Sequence, residues 1–269
     1  MGVETDRNSP RYKKRRGRAL ATSQTAGNEP AVWLIFYPVK NRLFPKVLRG
    51  GAVSNGICYN LTMGELSLGI DEAGRGCVIG PLFIAGLLIQ ESDFMIDKLN
   101  SLGVCDSKLL LAKKREEIAK EIKKISAGYK VAKINPNLLD RFSINDLEIK
   151  FSAELIGKFS PSRVYLDVPA SGLGIKRYCG SVASFCSSAD VKIVGANKMD
   201  STNVAVAGAS ILAKSEREKH IKILRKKYGD FGSGYPSDPK TISWLKWWKK
   251  NKGDWPNIVR KKWGTLNSL

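Results

Sequence analysis

Gly69-Ile-Asp-Glu-Ala-Gly-Arg-Gly76 continues a short apolar run, Leu66-Ser-Leu-Gly-Ile70, into a glycine turn, and the rest of the chain is read outward from it. The run has the length and composition of a buried strand, which puts Asp71 and Glu72 at its end. Gly74-Arg75-Gly76 supplies a turn with bare backbone amides, and a second apolar strand is expected at 78–89. Adjacent carboxylates at a strand terminus, beside amides and an arginine, suit a site that handles metal ions and phosphate.

The first strand is expected at 65–70 and further ones at 129–134, 163–168 and 191–196, where Val, Ile, Tyr and Leu concentrate. Helical periodicity fills the intervals. Leu111, Ile118, Ile122 and Ile125 share one face of the first helix, and a second runs roughly 144–158. A third, from about 203 to 227, opens with small residues (Ala205, Ala207, Gly208, Ala209, Ser210) that let backbone pack closely on a sheet. It closes on Arg225-Lys-Lys-Tyr-Gly229, as a helix C-terminus should. Asp238 is positioned to cap a further helix whose first residue is Pro239. The tryptophans of 244–263, at helical spacing, are expected to be mainly core, with the flanking lysines facing phosphate. A hairpin followed by alternating helices and strands implies an α/β fold, a mixed β-sheet flanked by helices with a C-terminal helical region.

Composition narrows the function. The 269 residues carry a net charge of +20, which favours a polyanionic partner, and aromatics among the C-terminal lysines favour nucleic acid over a membrane surface. No apolar run approaches the ~18–20 residues of a membrane span. Ala31-Val-Trp-Leu-Ile-Phe-Tyr37 follows basic residues as a signal sequence would. Lys40, Arg42, Lys46 and Arg49 follow it instead of a small-residue cleavage site, so a cytoplasmic protein is expected. Five cysteines without a Cys-x-x-Cys pair point to reduced, buried thiols rather than zinc or a disulfide framework. The single histidine, His220, lies in a charged helical run, which argues against histidine triads and multi-histidine metal sites. Any chemistry falls to carboxylates, whose hard oxygens select magnesium or manganese.

Residues 1–62 read as a basic N-terminal extension, around Arg11-Tyr-Lys-Lys-Arg-Arg-Gly-Arg18. It is expected to be a disordered tail, a nucleic-acid-binding arm, or sequence preceding a true start at Met63.

Asp167 ends the run Arg163-Val-Tyr-Leu-Asp167, and Asp200 precedes the small-residue helix. Taken singly, either is equally a turn residue or a cap. If their strands neighbour the first, Asp71, Glu72, Asp167 and Asp200 converge at one sheet edge. Four carboxylates stay ionised together only with cations between them. Two metal ions ~3.5–4 Å apart would then clamp the attacking and leaving oxygens of a phosphodiester hydrolysis.

Asp71-Glu-Ala-Gly-Arg-Gly76, Asp106-Ser-Lys108, Ala209-Ser-Ile-Leu-Ala-Lys214 and Gly232-Ser-Gly-Tyr-Pro-Ser-Asp-Pro239 resemble the motifs of ribonuclease HII, in that family's order. The ending Pro256-Asn-Ile-Val-Arg-Lys-Lys-Trp263 is similar to the archaeal branch, and the resemblance covers about 63–269. It implies a ribonuclease H-like catalytic domain at 63–228 and a C-terminal helical substrate-binding region at 229–269. It implies endonucleolytic cleavage of RNA in RNA–DNA hybrids and 5′ to ribonucleotides embedded in duplex DNA, in primer removal and ribonucleotide repair. Asp71, Glu72, Asp167 and Asp200 match the family's metal-binding carboxylates, with Mg2+ or Mn2+ as cofactor. Gly74, Arg75, Gly76 and Tyr235 match its reader of the ribonucleotide-to-deoxyribonucleotide junction. A glycine turn lets amides approach a ribose 2′-hydroxyl. Lys108 and Lys214 read equally as phosphate contacts and as surface lysines. A monomer is expected, with a replication clamp as a further partner. The family usually has alanine where this chain has Met199 and aspartate where it has Glu218. Two alternatives stay open. A non-catalytic nucleic-acid-binding module would bind without metal-dependent turnover, and a resolvase- or transposase-like nuclease would ignore the 2′-hydroxyl.

Overall fold

The computed structural model describes residues 34–35, 65–104, 110–186 and 191–269. Lys108, the Asp106-Ser-Lys108 motif and, apart from Leu34–Ile35, the N-terminal extension lie outside the described residues. A mixed sheet forms the centre, in the order β1-β4-β3-β2-β5-β6. Its strands are β1 (Leu34–Ile35), β2 (Leu66–Ala73), β3 (Leu82–Gln90), β4 (Gly128–Ile134), β5 (Arg163–Asp167) and β6 (Lys192–Ala196). The β1, β4, β3 and β2 strands pair antiparallel, whereas β5 lies parallel to β2 and β6 parallel to β5. Parallel neighbours need a crossover. Helix α4 (Ile144–Phe159) precedes β5, and α5 (Leu173–Phe185) joins β5 to β6.

The expected strands and helices are present, with two instructive differences. The second strand starts at Leu82 rather than 78, because Gly80 takes φ +97 and Pro81 has no N–H for a ladder. Val78 and Ile79 turn instead towards the C-terminus, where Ile79 bridges Val259. The first strand runs on to Ala73, so Asp71 and Glu72 sit inside it rather than at its end. Three helices lie where no clear periodicity is legible: α1 (Asp93–Ser101), α3 (Pro136–Arg141) and α5. Of α5 only Val182 is buried, which leaves little apolar pattern to read.

Each sheet face is covered by its own apolar layer. On one, Leu68, Ile70, Ile84 and Leu166 pack with Phe151, Leu155 and Ile156 of α4. On the other, Phe83, Ala85 and Leu87 meet Ile118 and Ile122 of α2 (Ala112–Ile125) and the small residues of α6 (Val204–Tyr228). The small residues do what their size allows. A Cβ added to Gly69 would lie 2.2 Å from the carbonyl carbon of Ala205, so α6 rests directly on the β2 backbone. Asn203 caps α6 by accepting from the Ala205 and Val206 amides.

A third cluster unites Val78, Ile79, Ile221 and Leu224 with Phe231, Trp244, Leu245, Ile258 and Val259. It docks α7 (Pro239–Lys252) and the C-terminal segment onto the end of α6. Asp238 caps α7 as expected, accepting from the Lys240 amide at 2.9 Å. Trp244 is buried and Trp248, Trp255 and Trp263 pack against the cluster, but Trp247 is 52% exposed and departs from the expected core role. Among the described residues no helix is long and apolar enough to cross a membrane, and Cys77, Cys179 and Cys186 are free thiols.

Two outcomes follow from this packing. Gly69→Ala forces backbone apart from backbone and is expected to lower unfolding free energy by about 2–3 kcal/mol, read from the urea midpoint. A loss below about 0.5 kcal/mol, typical of a surface site, would refute the close approach. His220 packs on the edge of Phe83, and burial, then Lys133, pushes its imidazole down to about 4 from 6.5. The unfolded state therefore protonates first, so this stabilisation is whole above 6.5 and is lost as pH falls to about 4. Because the ring is only half-buried, solvent screening leaves a swing of about 1–2 kcal/mol. His220→Gln should flatten the acid limb of the stability curve by that amount relative to wild type.

Candidate active site

Register brings two of the expected acids together. Ile70 pairs with Leu166 in the parallel β2–β5 ladder, and one step further sets Asp71 beside Asp167. Asp167 in turn pairs with Ala196 on β6. The chain then turns through Lys198 at φ 59 into a short 3-10 helix, Met199–Ser201, which carries Asp200. The Met199 amide donates to Asp167 Oδ1 at 3.0 Å, tying the two segments. That contact uses backbone, which explains how Met199 can stand where the family usually has alanine. Glu218, the other departure, ion-pairs with Arg115 of α2.

Consecutive strand residues point to opposite faces. Asp71 faces α6, next to Ser210 and Lys214, and its Oδ1 accepts from the Glu72 amide at 2.7 Å. Burial, then the Asp167 charge, holds its carboxyl up at about 7, with the Ser210 hydroxyl and Lys214 opposing the rise. Glu72 faces α4 and α5. Burial first, then Asp71 and Glu148, raise it well above the carboxylate range, while Arg75 pulls it back.

Sequence reasoning does not single out Glu148. It lies on α4, 2% exposed, with Oε2 paired to the Arg75 guanidinium. Its Oε1 has no hydrogen-bond partner among the described residues. The available signal is a carboxylate on an otherwise apolar stripe, at i+4 from Ile144 and i−7 from Leu155. Burial raises this carboxyl too, and the Tyr178 hydroxyl of α5 is pushed up by burial and by the charges of Glu148 and Glu72.

This donor set fits a hard divalent cation. All ligand atoms are carboxylate oxygens, their anionic forms are penalised by burial and mutual repulsion, and one buried oxygen is orphaned. Among the described residues no three acidic, histidine or cysteine side chains stand close enough to hold one ion as they are. A cation would have to draw them in.

The turn after β2 borders the acids. Gly74 takes φ +90, and a Cβ there would lie 2.9 Å from Arg217 Nε. The Arg75 side chain does not face solvent alone. It runs back to α4, pairing with Glu148 and donating to Asn145 Oδ1 at 2.5 Å. Gly76 is exposed, and its missing Cβ would stand 3.9 Å from the Tyr235 ring. Tyr235 comes from the loop before α7, where Gly232 and Gly234 both have positive φ. Arg217 of α6 holds that loop. It donates to Ser233 O at 2.7 Å and lies 4.8 Å from the centre of the Tyr235 ring. Glu72, Gly74, Gly76, Lys214, Arg217 and Tyr235 thus share the walls of one cleft of about 370 Å³. Arg217, like Glu148, is a contributor that the linear chain does not mark; it is one of many basic residues along α6.

Comparison with known proteins agrees with the geometry. Residues 68–266 match the family model for Ribonuclease HII. Ribonuclease HII of Thermococcus sibiricus is 42% identical over 205 residues, covering 75% of this chain and 89% of that protein. The crystal structure of ribonuclease H2 from Pyrococcus horikoshii superimposes with a TM-score of 0.70 at 35% identity, over 76% of this chain and 96% of that one. The PCNA:RNase HII complex from Archaeoglobus fulgidus gives 0.67 at 41% identity, over 74% and 94%. The mixed sheet, the paired Asp71 and Asp167 on adjacent strands and a match through nearly the whole described chain place this protein in the ribonuclease HII family of metal-dependent endoribonucleases, which cut the RNA strand of RNA–DNA hybrids.

Proposed function

We propose that this chain hydrolyses the phosphodiester 5′ to a ribonucleotide, both in RNA–DNA hybrids and at single ribonucleotides embedded in duplex DNA. The observation that carries the reading is one cleft whose walls bring Glu72 and Lys214, the latter beside Asp71, together with Gly74, Gly76 and Tyr235. Residues 63–228 act as the catalytic domain and 229–269 as the substrate-binding region. Asp71, Glu72, Asp167 and Asp200 would hold two Mg2+ or Mn2+ ions, which supply electrostatic stabilisation of the phosphorane and a lowered water pKa. No histidine is placed to share that work.

The protein's own residues position the substrate. The amides of the glycine turn donate to a ribose 2′-hydroxyl, the group that separates RNA from DNA at that sugar. The Tyr235 ring, braced by Arg217, stacks on the following sugar, where a 2′-hydroxyl would clash. Lys214, on the same cleft wall and near Asp71, contacts a phosphate, and the excess of basic residues guides the duplex in. Arg75 contributes its backbone here, since its guanidinium is engaged by α4. Such an activity serves primer removal and ribonucleotide repair. The chain acts as a monomer, with a sliding clamp as partner by likeness to the Archaeoglobus fulgidus complex.

A duplex DNA with one ribonucleotide, incubated with Mg2+ or Mn2+, should be cut once, 5′ to that residue. An intact duplex under broad conditions would sink the proposal. Asp71→Asn is expected to reduce turnover at least about a hundredfold while duplex affinity survives. Tyr235→Ala should cost about tenfold to a hundredfold at the same junction, the range of one lost stacking contact, with Tyr235→Phe near wild type. Metal binding needs the Asp71 proton removed, so stabilisation by Mn2+ in thermal melts should grow as pH rises through about 7. At a hundred times Kd it should reach about 2.7 kcal/mol.

A further inference from the structure

Among the described residues Arg260 is the largest side chain with no exposure at all, and the mechanism above gives it no task. It arrives on the C-terminal segment, held in register by the Ile79–Val259 bridge and by its own amide donating to Val78 O at 2.9 Å. Each of its three guanidinium nitrogens donates to a backbone carbonyl, two of them in the glycine turn. Nη2 donates to Gly74 O at 2.5 Å, Nη1 to Arg75 O at 2.7 Å and Nε to Gly80 O at 3.0 Å. The Trp263 ring covers its other side, with the guanidinium 4.7 Å from the ring centre.

A peptide unit points its carbonyl and its next amide in opposite directions. Pinning the Gly74 and Arg75 carbonyls inward therefore turns the amides of Arg75 and Gly76 outward, to the side where Gly76 faces Tyr235. Among the described residues no protein group accepts from either amide. The planar fork of arginine meets three carbonyls at once, which the point charge of lysine cannot do.

We propose that Arg260 is a positioning residue for ribonucleotide specificity: it clamps the carbonyl face of the Gly74-Arg75-Gly76 turn so that the opposite, amide face is preset for a 2′-hydroxyl. The inference rests on the reading of that turn as the 2′-hydroxyl sensor. It makes the C-terminal segment part of the sensor, not only a cover for the hydrophobic cluster.

The test compares affinities for two duplexes, one all-DNA and one carrying a single ribonucleotide, with Ca2+ present so that cleavage does not intervene. Wild type should prefer the ribonucleotide duplex. Arg260→Met should shrink that preference at least tenfold while all-DNA affinity stays within twofold, a split that simple destabilisation would not produce. Circular dichroism and melting confirm folding. Where Arg260→Met folds poorly, Arg260→Lys takes its place, with the same direction of change. Retained preference in a folded variant overturns the role of Arg260. Gly76→Pro, which deletes one sensing amide, separates the two failures. If it abolishes preference while the Arg260 variants keep it, only this inference falls. If wild type shows no preference at all, the sensor reading itself fails.

Discussion

Adjacent residues of a strand face opposite sides of its sheet, and this constraint shapes the whole site. Asp71 belongs to the α6 layer and Glu72 to the α4 layer, so the two acids cannot meet within the sheet. Asp71 instead has Asp167 of the neighbouring β5 beside it, and the Met199 amide, one residue before Asp200, donates to Asp167 after the turn that follows β6. Everything built on each face then has to tolerate a buried carboxylate. On one side Ser210 and Lys214 of α6 offset Asp71; on the other Arg75 offsets both Glu72 and Glu148.

The electrostatic cost is the functional point. Desolvation and mutual repulsion hold Asp71 near neutral-pH titration and Glu72 higher than an ordinary glutamate, a state that a divalent cation relieves. Packing supplies the rigidity that keeps the groups there. Gly69 lets α6 lie on β2 at backbone contact, and that contact fixes the distance from Ser210 and Lys214 to the strand. A larger residue at 69 would lift the helix and with it half of the site.

The glycine-turn side of the cleft depends on a second, more distant set of contacts. The turn at 74–76 is held from α4 through the Arg75 side chain and from the C-terminal segment through Arg260, while Arg217 of α6 holds the Ser233–Tyr235 loop that faces it. Residues some seventy to one hundred and eighty-five positions apart thus share one small loop. The third hydrophobic cluster is what brings them together, because it seats α7 and the C-terminal segment against Val78 and Ile79 just after the turn.

Much of this is legible in the linear chain. Apolar runs with β-branched residues mark the strands, small residues mark the helix that approaches the sheet, and Asp71 and Glu72 stand out because a buried strand gives little other reason for paired acids. A lone histidine leaves the chemistry to carboxylates on composition alone. Periodicity and composition are local properties, so they report on local structure and on which side chains are available. They do not report on partners. That Glu148 sits beside Glu72, that Arg75 turns back to α4, that Val78 and Ile79 leave the strand, that Trp247 is exposed, and that Arg260 grips the glycine turn are consequences of how distant segments pack. Sequence alone named the acids and the turn. Only the tertiary structure decided which way each of them faces, because burial and carbonyl geometry are set by neighbours far along the chain.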